Sequence, residues 1–282
     1  MRKWIFGLAI VALLGVFCYS GWQLLDYYTQ GAENQAVYDD LAALKPVVSA
    51  PSKPVEEAPP LPTEDTAPTE PAIPENCIPV IHPVTGETVW MLPEYQELFA
   101  INPDIVGWIT MECLGVDYPV VQSQPDNADY YLERNFYGKK SPYGCIYAKE
   151  ACDVFKPTAN ITLYGHRMND GGMFGNLGRY KKESYWRENP TFRFNTLQRT
   201  GTYQILAVFQ AKAGASGSFQ YHQFVDTEDP RVFDQFVASC KSWALFDTGV
   251  EAEFGDELLT LSTCDYHTKN GRLVVVAKRI GD

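Results

Sequence analysis

Hydrophobic positions along this chain follow three different patterns. From Trp4 to about Tyr19 they run almost unbroken and continue weakly to Leu25. From Pro46 to Pro79 apolar periodicity disappears, and prolines alternate with Glu, Thr, Ala and Ser. Beyond Pro79 short runs rich in Val, Ile, Tyr and Phe recur between turn residues. These runs predict strands near 106–111, 117–121, 144–147, 161–166, 192–195, 201–213, 258–263 and 272–279. Helices fit 91–101, 172–180 and 230–245. Many short strands without a βα alternation predict a mainly β domain, a barrel or a sandwich, with a few helices at its edge.

The first two patterns divide the rest of the chain. About 22 apolar residues at about 1.5 Å each just cross a hydrocarbon core of about 30 Å, so 1–25 is read as a cytoplasmic start and transmembrane anchor. Arg2 and Lys3 precede the run and Asp26 follows it. The positive-inside rule then leaves the N-terminus in the cytoplasm and the bulk of the chain outside, as a single-pass protein of the cell membrane. A cleaved signal peptide is the competing reading, but no small-x-small site follows the run, and Phe17 before Cys18 is bulky for lipoprotein processing. Residues 26–45 suit a helical juxtamembrane segment. Residues 46–79 cannot bury enough apolar surface to offset their chain entropy and are expected to form a disordered stalk. Residues 80–282 are long enough for one catalytic domain with a full core.

The net charge of −12 disfavours a nucleic-acid partner. Part of that excess lies in the stalk, where Glu56, Glu57, Glu64, Asp65, Glu70 and Glu75 face only Lys53. Seven cysteines show no CxxC pair or other metal-ligand spacing. Cys264 and His267 form one zinc-like pair without two further ligands, so no metal and no cofactor are expected.

Chemistry concentrates near the C-terminus. The segment Leu258-Leu-Thr-Leu-Ser-Thr-Cys264 ends an apolar strand on a thiol, and Arg272-Leu-Val-Val-Val-Ala-Lys278 begins the next on a guanidinium. Asn270-Gly271 between them suits the positive φ of a tight turn. Antiparallel pairing makes Cys264 and Arg272 neighbours, a nucleophile beside a permanent cation that can donate to an oxyanion. A base is still needed among His82, His166, His222 and His267. His166 also closes an apolar strand, where a histidine serves equally well as a base or as a hydrogen-bonded structural residue.

Thr260-Leu-Ser-Thr-Cys264, the strand-leading Arg272 and Tyr164-Gly-His166 together resemble a sortase, a cysteine transpeptidase of the Gram-positive cell surface. Asn102-Pro-Asp-Ile-Val-Gly-Trp108, Asp117-Tyr-Pro-Val-Val121, Tyr130-Tyr-Leu132, Gly165-His-Arg-Met168 and Met173-Phe-Gly-Asn-Leu177 are similar in order and spacing to class B members, over roughly residues 90–280. The resemblance implies a closed, mostly antiparallel β-barrel with peripheral helices. It implies that Cys264 cleaves a C-terminal sorting signal of a secreted protein after threonine, forms a thioester and passes the protein to an amine of a peptidoglycan precursor or cross-bridge. His166 would exchange the proton and Arg272 would hold the oxyanion. Ser262, Asp265, Leu132, Asn127 and Tyr164 would contact substrate. Wall anchoring, pilus assembly and hydrolysis by the same chemistry are alternatives, with a non-catalytic stalked surface-binding module as the bland one, and the segment 213–250 should decide the sorting signal.

Overall fold

The computed structural model describes residues 2–45, 77–82, 86–214, 217–265 and 270–281. Most of the proline-rich stretch, 46–76, and His267 therefore lie outside the described residues. The chain divides into two units, 1–43 and 44–282. The first is a single helix, α1 (Arg2–Ala43). Within it, Ile10–Ala43 is long and apolar enough to cross a membrane, with a mean hydropathy of 1.3 over its best window. The polar-flanked continuation past residue 25 and Gly31 are part of the same helix.

Among the described residues the second unit has ten strands: β1 (Ile78–Ile81), β2 (Thr88–Met91), β3 (Ile105–Met111), β4 (Val116–Gln122), β5 (Ile146–Ala148), β6 (Asn160–Tyr164), β7 (Thr191–Thr196), β8 (Thr202–Lys212), β9 (Leu258–Cys264) and β10 (Gly271–Gly281). Eight of them close into a barrel in the order β10-β8-β7-β3-β4-β5-β6-β9, while β1 and β2 pair separately. The barrel is mostly antiparallel, as expected. Its parallel neighbours are β4 with β5 and β6 with β9. The second pair matters most, because parallel neighbours end at the same rim. The core lies inside the barrel, where Ile105, Val121, Leu163, Phe194, Leu261 and Val275 are fully or almost fully buried.

Strand β7 alternates exposed and buried residues, as a half-solvated strand should. Strands β9 and β10 are buried on both faces over most of their length, and a helix covers part of their outer side. That helix, α4 (Pro230–Trp243), starts with Pro230 in its first turn and with Asp229 accepting from the Arg231 amide at 3.0 Å. Its apolar face of Phe233, Phe236, Val237 and Cys240 packs over Leu206, Phe209, Val274 and Val276.

Sequence periodicity missed β1 and β2. Pro79 and His82 obscure their alternation, and Pro79 is tolerated because a two-stranded ribbon has free edges. The helix predicted for 91–101 is shorter: Met91 ends β2, Pro93–Tyr95 is a 3-10 turn, and only α2 (Gln96–Ile101) is α-helical. The helix predicted for 172–180 is a 3-10 segment, Gly175–Lys181, followed by α3 (Glu183–Glu188).

Candidate active site

Two strand pairs bring the candidate residues to one rim of the barrel. In the β9–β10 hairpin Cys264 lies directly opposite Arg272. The Asp265 amide donates to the Gly271 carbonyl at 2.9 Å and extends the pairing one step past the thiol. Of the Asn-Gly pair, Asn270 takes the positive φ, at 62°, while Gly271 already belongs to β10. Cys264 and Arg272 are both half-buried. The Arg272 guanidinium donates through Nη1 to the Gly271 carbonyl at 3.0 Å, and its charge is felt by Tyr147, Tyr221 and His222.

The second pair is parallel, with Tyr164 of β6 opposite Ser262 of β9. Two residues further along each chain stand His166 and Cys264. Beyond the last paired residues the segments stay joined: the Gly165 amide donates to the Ser262 carbonyl at 3.2 Å, and Thr263 Oγ1 donates to the Gly165 carbonyl at 2.8 Å. A side chain on Gly165 would meet Ile146 Cδ1 at 2.5 Å and Phe174 Cδ2 at 2.7 Å, so the chain can pass here only as glycine.

His166 is oriented by a backbone carbonyl. Its Nε2 lies 2.7 Å from the Leu132 carbonyl oxygen. A carbonyl cannot donate, so Nε2 carries a hydrogen, and Nδ1 is the nitrogen left for proton exchange. Leu132 sits in the 3-10 turn Tyr130–Glu133. The carbonyls on either side of it are taken up by Cys145 N and Ser141 N, at 3.0 and 2.9 Å. Gly144, at φ 60°, lies so close that a Cβ would come within 2.4 Å of the Leu132 oxygen. The turn is fixed from behind by Tyr131, whose hydroxyl donates to Asp104 Oδ2 at 2.8 Å and accepts from Asn102 Nδ2 at 2.9 Å.

The remaining predicted contacts are placed as follows. Ser262 is buried, and its hydroxyl shares a 2.7 Å hydrogen bond with Tyr221. Tyr164 is half-buried, its ring 5.4 Å from that of Tyr147, and burial pushes both phenols well up. Asn127 is exposed on the 3-10 turn Pro125–Asn127 ahead of Leu132. Asp265 is only 3 % exposed, and its carboxylate already meets Arg167, Lys181 and Gln210.

Sequence reasoning named His222 only as one of four candidate bases and did not single out Tyr147 or Tyr221; all three lie close enough to feel the Arg272 charge. It listed Asn102 and Asp104 as motif residues without a role. Tyr147 lies in β5 and Tyr221 in the 3-10 turn Tyr221–Gln223, and an aromatic at either place gives no signal of its own. The segment 213–250 had nonetheless been marked as decisive, and Tyr221 and His222 fall in it.

No cysteine is bridged. Burial pushes the Cys240 thiol far up and the Cys152 thiol to about 11, so neither supplies thiolate at neutral pH. Among the described residues no group of three or more His, Cys, Asp or Glu side chains is placed to hold a metal ion.

A thiol, an imidazole and a guanidinium thus stand on one rim of the barrel, at the ends of β6, β9 and β10. The sortase domain family matches residues 109–280, well over half of the chain. The chain belongs to the sortase family. Its relatives place the sortase in class B. Sortase B of Listeria monocytogenes is 28 % identical over 274 residues, covering 96 % of this chain and 94 % of the relative. Sortase B of Staphylococcus aureus is 30 % identical over 190 residues, covering 67 % and 75 %. Among solved structures, the Staphylococcus aureus sortase B–substrate complex superposes with a TM-score of 0.61 at 28 % identity, over 67 % of this chain and 86 % of that one. Sortase B of Clostridium perfringens gives 0.60 at 30 % identity, over 66 % and 99 %. Membership of this family makes the sortase a cysteine transpeptidase acting on sorting signals.

Proposed function

We propose that this sortase cleaves a C-terminal sorting signal after threonine and joins the freed acyl group to an amine of a peptidoglycan precursor or cross-bridge. The observation that carries the reading is the register around β9, with Arg272 opposite Cys264 on one side and the His166 segment alongside on the other. Cys264 Sγ attacks the threonine carbonyl, and Arg272 donates to the oxyanion that develops. The C–N bond breaks, the leaving amine takes a proton from His166, and a thioester remains on Cys264. The acceptor amine then attacks, His166 takes its proton, the C–S bond breaks and the thiolate is regenerated.

The Nε2–H···O=C bond to Leu132 supports assigning Nδ1 as the exchanging atom in both halves. Ser262, Leu132, Tyr164 and Asn127 are proposed to line the signal peptide. Residues 1–25 would anchor the sortase in the cell membrane with the N-terminus inside, and 46–79 would act as the stalk below a catalytic domain of 80–282.

The test uses the full chain in detergent with a panel of fluorogenic sorting-signal peptides, each with and without an amine acceptor. Amine-dependent ligation, abolished by Cys264→Ala and reduced about 10²–10³-fold in kcat by Arg272→Met, is the expected result. Cleavage indifferent to the amine means a hydrolase. Ligation that survives Cys264→Ala refutes the assignment.

A further inference from the structure

Asp265 follows the nucleophile directly, yet its carboxylate is buried in a cluster of its own. Arg167 Nη1 lies 3.3 Å from Oδ1, Lys181 Nζ lies 2.7 Å from Oδ2, and Gln210 Nε2 donates to Oδ2 as well. The lone pairs of a carboxylate can accept several such bonds, and here they converge from three separate elements. Arg167 comes from the loop after β6, Lys181 from the end of the 3-10 segment, and Gln210 from β8.

Each proposed catalytic residue has a sequence or strand neighbour in this cluster. Asp265 adjoins Cys264, and Arg167 adjoins His166. Gln210 pairs across β8–β10 with Leu273, which adjoins Arg272. The Thr263–Gly165 hydrogen bond joins the same two segments on the other side of the Cys264–His166 pair.

We infer that Asp265 is a positioning residue: its buried carboxylate fixes the segments bearing Cys264, His166 and Arg272 relative to one another from behind the cleft, and it makes no contact with substrate. The inference rests on the proposed roles of those three residues. Directional hydrogen bonds suit this task better than apolar contacts, because a misplacement of about 1 Å in a reacting pair costs about 100-fold in rate.

The experiment compares Asp265→Asn, Arg167→Gln and the double variant in the full chain in detergent, by ligation kinetics and by hydrogen exchange. Asp265→Asn is expected to lower kcat about 100-fold while KM stays within about threefold. It should also speed amide exchange in 165–175 about tenfold or more while α4 stays protected. The double variant should be no slower than Asp265→Asn alone, since both changes break one strut.

A raised KM with unchanged kcat would make Asp265 a substrate contact and overturn the inference, as would wild-type exchange with wild-type kcat. If Asp265→Asn does not fold, Arg167→Gln decides alone, because its side chain is 34 % exposed: local loosening with a kcat loss supports the strut, and wild-type behaviour refutes it. If the wild-type sortase ligates no peptide, the proposed function fails, while the exchange pattern still supports or refutes the strut.

Discussion

The two arms of the site are built in different ways. Cys264 and Arg272 sit on one hairpin, where seven consecutive backbone pairs between β9 and β10 set their alignment. His166 lies just past its strand, in a coil held by separate single contacts, among them the Leu132 carbonyl, the Thr263 hydroxyl, the Gly165–Ser262 and Phe174–His166 backbone bonds and the Arg167–Asp265 pair. A hairpin distributes its alignment over many bonds and a change of one residue in phase would turn the side chains to the other face, so single substitutions hardly move it. A coil held by a few bonds is exposed to each of them.

The largest test of that difference is Gly144→Ala. Its left-handed φ and the 2.4 Å approach to the Leu132 oxygen leave no room for a methyl group, so the carbonyl orienting His166 must move. The expected outcome is a loss of about 100-fold in ligation rate and about 1–3 kcal/mol of stability, read by kinetics and chemical denaturation. Undisturbed activity would mean that the Leu132 carbonyl does not govern the imidazole. A smaller effect is expected from Thr263→Val, which keeps the β-branched shape and removes the donor to the Gly165 carbonyl. About 1 kcal/mol of stability and about fivefold in rate should be lost. An equal loss from removing an exposed hydroxyl on β7, as in Thr191→Val, would erase the contrast between the arms.

The pairing of Cys264 with Arg272 was legible in the sequence because it is local. A strand ending on Cys264, an Asn-Gly turn and a strand beginning on Arg272 define a hairpin within 25 residues of one another. Short β-branched runs without a βα alternation left a barrel or a sandwich, and the sortase resemblance implied the closed barrel that the fold shows. The orientation of His166 was not legible. It depends on Leu132, on Gly144 beside it and on the Asn102–Tyr131–Asp104 network, contacts between segments that only the closed barrel brings together. Sequence spacing also misjudged 91–101 and 172–180, where prolines and glycines cut the helical pattern into 3-10 turns. The resemblance implies a substrate contact for Asp265, whose burial cannot be seen in a sequence.

The smallest expected effect concerns pH. Burial lowers the pKa of both His82, which packs 4.7 Å from the Phe155 ring, and His222, near Lys149 and Arg272. A base with a lowered folded pKa binds fewer protons folded than unfolded. The stability it contributes is therefore complete above the unfolded value of about 6.5 and is lost as pH falls through the folded one. Melting temperature should be level from pH 8 to about 6.5 and decline below it. His82→Phe should reduce the decline more than His222→Gln if the β1–β2 region loosens first, and less if the site does. A flat profile down to pH 5 would show that neither histidine matters to stability.

The closed circuit β10-β8-β7-β3-β4-β5-β6-β9 has one more consequence. An open sheet can capture an extended peptide by adding it as another strand, reading main chain with main chain. This barrel offers no vacant edge for that. A polypeptide that docks on the barrel itself meets side chains and loops rather than a strand edge, and those can vary while the strands beneath are left alone.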